Sequence, residues 1–411
     1  MGKGYLVVNV SADNVAQPVG CADVHVIGDG VDIHIETDIS GNTTTLELDC
    51  PDKELSLTPQ RTVLPYAEYD IIITKEGLQP ERINGIQILD TTHSIENAII
   101  RSEPSENPAL TTIEVAKHTL WGNYPPKIVE DPFSHRLMPN GQHVLPEPIV
   151  PEFVIVHDGL PTNTNASNYQ VDYRDYIKNV ASGEIYSTWP TETIRANVLA
   201  ILSFTQNRIF TEWYRGKGYT FTITSSTQFD QYFSFGRNIY TEISNVVDEL
   251  FTQFITFPNV PQPFFAQYND GVKVNNDGWL SQWGSKNLGD QGYSAIQILK
   301  YFYGDSIYLD SAEIIEGLPF SFPGYTLQVG ICGDAVQKIQ LELNVIASSF
   351  PAIPTISPAD GHFDENTRNT VETFQKIFNL PVTGVIDYST WFNISHIFIS
   401  VSNMLRGRYE Y

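Results

Sequence analysis

The stretch Tyr173–Pro190, YRDYIKNVASGEIYSTWP, decides how the 411-residue chain is read. Taken as a helix, it puts Tyr173, Ile177 and Val180 on one face. Glu184 falls on that face too, eleven residues being close to a whole number of turns. A carboxyl group aimed inward is unusual. The small residues Ala181, Ser182 and Gly183 precede it and leave room for something bulky, while Ile185, Tyr186 and Trp189 follow as an apolar wall with aromatic faces. Such surroundings favour the neutral acid, which can protonate a glycosidic oxygen, and flat rings suit the apolar face of a sugar. The plainer alternative is that Glu184 caps the next helix or pairs with a basic residue.

Downstream, Thr191–Tyr214 reads as the strongest helix, with Ile194, Val198, Ile201, Leu202, Thr205, Ile209 and Trp213 as an inward stripe, Thr188 or Thr191 as cap, and Gly216 and Gly218 as terminators. It carries no chemistry. A second helix is expected over 237–255, FFAQYNDGVKV reads as strand and turn, and a helix over Tyr293–Tyr303 follows a Gly-rich loop and a shorter helix. Upstream, 103–150 is dense in proline, from Pro104 to Pro148, and reads as an extended linker, since proline neither donates to a ladder nor continues a helix. Before it, residues 1–102 break into short Val-, Ile- and Thr-rich strands divided by Gly, Pro and Asp, the pattern of an all-β sandwich.

Composition narrows the function. A net charge of -24, with no cluster of Lys and Arg, argues against nucleic acid and anionic membranes. Residues 1–110 hold 18 Asp and Glu against 6 Lys and Arg, so half of that excess sits in the first quarter of the chain. No apolar run is long enough to span a bilayer, and MGKGYLVVNV lacks the features of a secretory signal, so delivery without classical export is expected. Cys21, Cys50 and Cys332 are too scattered for a disulfide framework or a zinc site. Between Pro151 and Tyr325 there is no cysteine and one histidine, His157, which reads as structural. Any catalysis there falls to carboxylates, with no metal and no cofactor expected.

Two long blocks, YIKNVASGEIYSTWPTETIRANVLAILSFTQNR and LSQWGSKNLGDQGYSAIQILKYFYGDSIYL, resemble the signature blocks of the SpoIID/LytB-type domain of lytic transglycosylases. The resemblance implies a central α+β catalytic domain over 151–327 with Glu184 as acid/base. Beside it, Trp189 is the candidate sugar platform and Gln267, Tyr268, Ser281 and Gln282 the candidate lining of the substrate cleft, with core packing the alternative for Trp189 and Tyr268. Relatives often place Gly-His-Gly before the Ser-Gln block and some carry a His-x-His-x-Cys zinc motif; here Asp277–Leu280 precede Ser281 and no such motif exists, so zinc is not carried over. If a hydrolase needed a second carboxylate, Asp230, Asp270 and Asp277 are the candidates, each in a turn-like setting where Asp commonly serves as a local acceptor.

Residues 328–411 contain VGICGDAVQKIQLELNVIA and ADGHFDENTRNTVETFQKIFNLPVTGVIDYSTWFNI, which resemble the three-helix peptidoglycan-binding module, with Val336, Ile339, Leu343, Val371, Phe374, Leu380 and Trp391 as core. The N-terminal strands resemble the transthyretin-like or carboxypeptidase-regulatory type. The order of modules resembles the spore cortex-lytic enzymes of clostridia, made in the mother cell and lodged in the spore cortex or coat region. This implies a proenzyme that cleaves cortex peptidoglycan at germination, activated by a subtilisin-like Csp protease. The region Gln142, His143 and Val144 is the expected activation site, polar residues leading into an extended segment. The non-enzyme alternative is a silent cortex-binding protein.

Overall fold

A computed structural model describes residues 1–28, 30–59, 63–103, 109–120, 122, 124–130, 144–318 and 320–407, with side chains through 404. The N-terminal strands alternate in and out. In β1 (Gly2–Ala12), Leu6, Val8 and Val10 are buried while their neighbours are half-exposed. That period builds two sheets. One is β4 (Leu46–Cys50), β1 and β7 (His93–Ile100); the other runs β3 (Val31–Glu36), β2 (Asp23–Gly28), β5 (Ala67–Thr74), β6 (Glu81–Ile88), β8 (Thr111–Glu114). Between them lies a core of its own, with Val24, Val26, Ile71 and Ile73 fully buried. A single turn, α1 (Glu54–Leu57), follows β4.

Two expectations about this module change. Its last strand, β8, pairs in parallel with β6, so the sandwich extends past residue 102 and the linker is shorter than 103–150. Thr-Thr-Ile-Glu is a normal strand sequence, concealed between prolines. The sandwich is also bolted to the central domain. Strand β13 (Ile239–Tyr240) of that domain pairs with Ile95 and Ser94 of β7, and the Asn238 side chain both accepts from Gln87 N and donates to Gln87 O, each at 2.9 Å.

The central domain is built on two helices. Helix α2 (Tyr173–Glu184) is capped by Asp172, whose carboxylate accepts from Arg174 N at 2.9 Å. Helix α3 (Thr191–Phe210) has 17 of its 20 residues buried. The expected stripe was too narrow: polar residues on its other faces are spent on neighbouring backbone, as Ser203 Oγ on Phe264 O and Asn207 Nδ2 on Pro263 O, both at 2.8 Å. Neither Thr188 nor Thr191 caps it. Pro190 takes the N-cap position, and the helix stops at Phe210, four residues short of expectation. The helix expected over 237–255 is confined to α4 (Thr241–Leu250), since the β-branched and aromatic flanks Ile239–Tyr240 and Gln253–Thr256 (β14) pair as strands instead.

Around these helices lie β9 (Ile149–Val150), β10 (Phe153–His157), β11 (Asn168–Asp172), β12 (Ile223–Thr224), β15 (Tyr268–Asn269), β16 (Leu280–Ser281), α5 (Gln282–Asp290), α6 (Ala295–Tyr303), β17 (Tyr308–Ser311) and β18 (Ile314–Ile315). Strand β10 sits between β11 and β12, β14 pairs β17, β15 pairs β16, and β9 pairs β18. His157 is buried, with Nδ1 2.8 Å from Asn168 Oδ1 and Nε2 3.1 Å from Leu160 O, a satisfied structural histidine.

Helices α7 (Asp334–Ala347), α8 (Glu365–Ile377) and α9 (Tyr388–Gly407) form the C-terminal module, and all seven expected core residues are buried. It does not hang free. Its core is continuous with that of the central domain, Asn393 Nδ2 donates to Asp248, and the Tyr388 and Thr252 hydroxyls meet at 2.8 Å. Asn42 of the sandwich donates to Ile377 O at 2.8 Å, so all three modules touch. No helix among the described residues is long and apolar enough to cross a membrane.

Glu342 on α7 is 3% exposed, and its burial pushes its carboxyl up to about 7 against an ordinary value of 4.5. The folded state therefore binds a proton the unfolded chain has lost, and stability falls as pH rises from 4.5 to 7. Glu342→Gln is expected to stabilise the fold by about 3 kcal/mol at pH 8, raising the unfolding midpoint there, and to leave stability nearly unchanged at pH 4.5. Equal effects at both pH values in thermal melts would contradict this.

Candidate active site

Helix α2 ends at Glu184, where Ile185 turns to an extended conformation. Glu184 is 8% exposed. Three separate segments converge on it. Tyr232 N donates to Oε1 at 3.0 Å, Tyr268 OH on β15 donates to the same oxygen at 3.2 Å, and Gln282 Nε2, on the first residue of α5, donates to Oε2 at 3.0 Å and to Glu184 O at 2.8 Å. Burial and the adjacent carboxylate push the Tyr268 phenol well above its ordinary value, so it remains a donor. Both Glu184 oxygens thus accept hydrogen bonds from donors on three other segments.

The room left by the small residues is taken by protein. A Cβ on Gly183 would lie 2.5 Å from Cδ1 of Tyr232, so only glycine lets that ring pack beside the helix end and bring its backbone N–H to Glu184. Tyr232 gave no sequence signal, lying in a polar, aromatic segment without periodicity.

The expected cleft residues divide. Tyr268 and Gln282 join Glu184 directly. Gln267 is buried beside them but donates to Ile128 O at 3.2 Å. Ser281 caps α5, its Oγ accepting from Gly284 N at 2.9 Å. Trp189 is 3% exposed, packs against Tyr186 and Trp283, and donates from Nε1 to Ser56 O of the sandwich at 2.8 Å. It offers no face to a sugar here; it fastens two modules together.

None of the three further aspartates faces Glu184 through a hydrogen bond. Asp277 is exposed, and Asp270 folds its own loop, accepting from Val272 N and Lys273 N at 2.6 Å and Val274 N at 3.1 Å. Asp230 is fully buried, paired with Arg208 Nε at 2.8 Å and accepting from Tyr214 OH at 2.6 Å and from Thr224. It is committed to structure. Asp230→Asn is expected to cost about 3 kcal/mol, the low end for breaking a buried pair because Arg208 keeps Glu130. A denaturation midpoint unchanged within about 0.5 kcal/mol would refute that assignment.

The described residues between Ala116 and Glu130, expected to be part of an extended linker, lie beside Tyr232 and Tyr268. His118 stacks on Tyr232 with centroids 3.6 Å apart and on Tyr124 at 4.7 Å, and Tyr66 OH donates to its carbonyl. Tyr232 OH donates to Ala116 O at 3.3 Å. Lys127 Nζ sits 4.3 Å above the Tyr268 ring, Ile128 N donates to Gln228 O at 2.8 Å, and Glu130 clamps Arg208 with bonds of 2.8 and 3.1 Å. Burial pushes His118 down to about 3, so it stays neutral, and pushes Lys127 down, an effect opposed by the carboxylates of Glu184 and Asp230. Of the expected activation region, Gln142 and His143 lie outside the described residues. Val144 is half-buried beside Leu145, whose N–H bonds Phe210 O at 2.9 Å.

Ser281, next to Gln282 in sequence, lines a groove of about 490 Å³ with Asn275, Asn276, Asn287, Gln291, Tyr301 and Phe302 among others; Glu184 is not part of that lining, and Tyr301 is 68% exposed. Neutral amides beside an exposed ring can hold hydroxyl and acetamido groups while stacking on a sugar.

No curated protein matches the chain. Residues 332–391, spanning α7, α8 and the start of α9, match the family model described as "Putative peptidoglycan binding domain". That C-terminal match supports a cell-wall-related role with peptidoglycan as a partner.

Proposed function

We propose that the chain is the precursor of a spore cortex-lytic enzyme that cleaves peptidoglycan glycan strands as a lytic transglycosylase, as its resemblance to the clostridial enzyme SleC implies. One observation carries the reading: a nearly buried carboxylate, Glu184, is held by Tyr268, Gln282 and the Tyr232 N–H in a chain that ends in a peptidoglycan-binding domain. The groove lined by Ser281 supports it as a path for the strand. Glu184 acts twice. It protonates the leaving glycosidic oxygen, then takes the proton of the muramic acid C6 hydroxyl, which attacks C1 of the oxocarbenium-like sugar and closes a 1,6-anhydro ring. One carboxyl group suffices, and Asp230, Asp270 and Asp277 are each otherwise engaged or solvent-facing. Tyr268, neutral and within reach of Glu184, steadies the carboxylate between the two transfers.

The strap formed by 116–130 keeps the precursor silent. It covers Tyr232 and Tyr268, with His118 stacked on the first ring and Lys127 seated over the second, so the strap occupies space beside Glu184 that a glycan strand would need. A subtilisin-like Csp protease in the spore, cutting near Gln142–Val144, frees residues 1–143 to leave. Incubation of spore cortex with the processed protein is expected to yield muropeptides lighter by one water at the muramic end. Hydrated ends alone, in the mass spectrum of the products, indicate a muramidase-type hydrolase; no products at all indicate a cortex-binding structural protein.

A further inference from the structure

The β2–β3 hairpin repeats one tripeptide pattern, Asp23-Val-His25 and Asp32-Ile-His34, and the antiparallel register sets His25 directly opposite His34. Since Val24 and Val26 enter the core, all four polar side chains stand on the outer face. The imidazoles stack with centroids 4.0 Å apart. His25 Nε2 lies 2.6 Å from Asp32 Oδ1, and His34 Nδ1 lies 2.9 Å from Asp23 Oδ2. Ligand atoms of His25, Asp32 and His34 all fall within 4.8 Å of one another.

We propose that this hairpin binds one divalent transition-metal ion of the zinc class, through His25, His34 and Asp32. The donor chemistry fits: neutral imidazole and carboxylate suit such ions, and three protein ligands leave a fourth position for water. Asp23 then serves from behind, fixing the His34 ring by its Nδ1–H and leaving Nε2 for the metal, the usual partner of a ligating histidine. The ion takes the place of the proton shared by Asp32 and His25. Metal–ligand bonds of about 2.0–2.2 Å set tetrahedral ligands roughly 3.4 Å apart, so the widest separation must close and the 2.6 Å His25–Asp32 contact must open, shifts that side-chain rotation supplies. Both movers are free to turn, the Asp32 and His34 side chains being 80% and 60% exposed. Among the described residues no Lys or Arg forms an ion pair with Asp23 or Asp32, so no protein cation competes. Sequence spacing hid the site because its halves meet only through strand register. Binding there clamps β3, the edge strand of its sheet, to β2.

The test uses the full chain stripped with EDTA. Calorimetric titration with Zn²⁺ is expected to show one equivalent at micromolar affinity and a raised unfolding midpoint. His25→Ala and His34→Ala should each weaken binding at least tenfold, Asp23→Asn less, and His362→Ala, at the other exposed His–Asp pair, not at all. Cu²⁺ bound to the unaltered protein should give an electron paramagnetic resonance spectrum with coupling from two imidazole nitrogens, a readout independent of whether a variant folds. No binding below about 100 μM, full affinity in the His25→Ala/His34→Ala double variant, or a spectrum without two-nitrogen coupling overturns the proposal.

Discussion

Glu184→Gln should lower glycan cleavage by the processed protein at least a thousandfold, within the range that loss of a general acid/base produces. The substitution conserves volume but not hydrogen bonding, and the geometry says where it will strain. Tyr232 N and Tyr268 OH both donate to one oxygen, which an amide oxygen can replace. The other oxygen accepts from Gln282 Nε2, so the new amide nitrogen would face another donor. Turning the Gln282 amide over relieves that clash and breaks its bond to Glu184 O. A loss of about 1–3 kcal/mol in stability is therefore expected alongside the loss of activity. Circular dichroism separates the two, since a folded, inactive variant is required. A folded variant retaining a tenth of the cleavage rate on soluble glycan strands would remove Glu184 from the chemistry.

The legibility of fold and site depends on what each residue signals locally. Glu184's inward aim came from spacing within one helix, and the seven core positions of the C-terminal module from apolar patterning within a segment that resembles a known three-helix module; the structure buries all of them. Tyr268 and Gln282 came only as candidate cleft lining, because residues about a hundred positions apart share no local pattern with the helix they serve. The strap escapes a sequence reading for a related reason. Pro125 and Pro126 report an extended backbone but not the surface it lies on, and Lys127 meets Tyr268 across 141 positions of sequence. Trp189 misleads because a tryptophan beside a carboxyl group looks alike whether it faces a sugar or, as here, the carbonyl of Ser56 on another module. A helix over 237–255 is too long because apolar residues at its ends serve a strand's period equally well.

Activation should take two steps, a cut and a departure. In the intact chain the strap is tied at both ends: His118 is sandwiched between Tyr232 and Tyr124, and Glu130 grips the buried Arg208. Residues 131–143 then lead to Leu145, which is anchored to Phe210, and to β9, paired with β18. A cut near Gln142–Val144 therefore leaves every one of these contacts in place, along with the shared β7–β13 ladder and the Trp189–Ser56 and Asn238–Gln87 bonds. The cleaved N-terminal part should at first remain bound, and activity should appear as it dissociates. Subtilisin-treated protein is expected to elute as one complex in size-exclusion chromatography, to gain at least a hundredfold in cortex lysis once the fragments separate, and to do so faster when Glu130→Ala or Lys127→Ala loosens the strap. Arg208 keeps Asp230 in the first variant, so the catalytic domain stays intact. Full lysis by uncut protein, or none after the fragments are separated, would rule out the strap as an inhibitor.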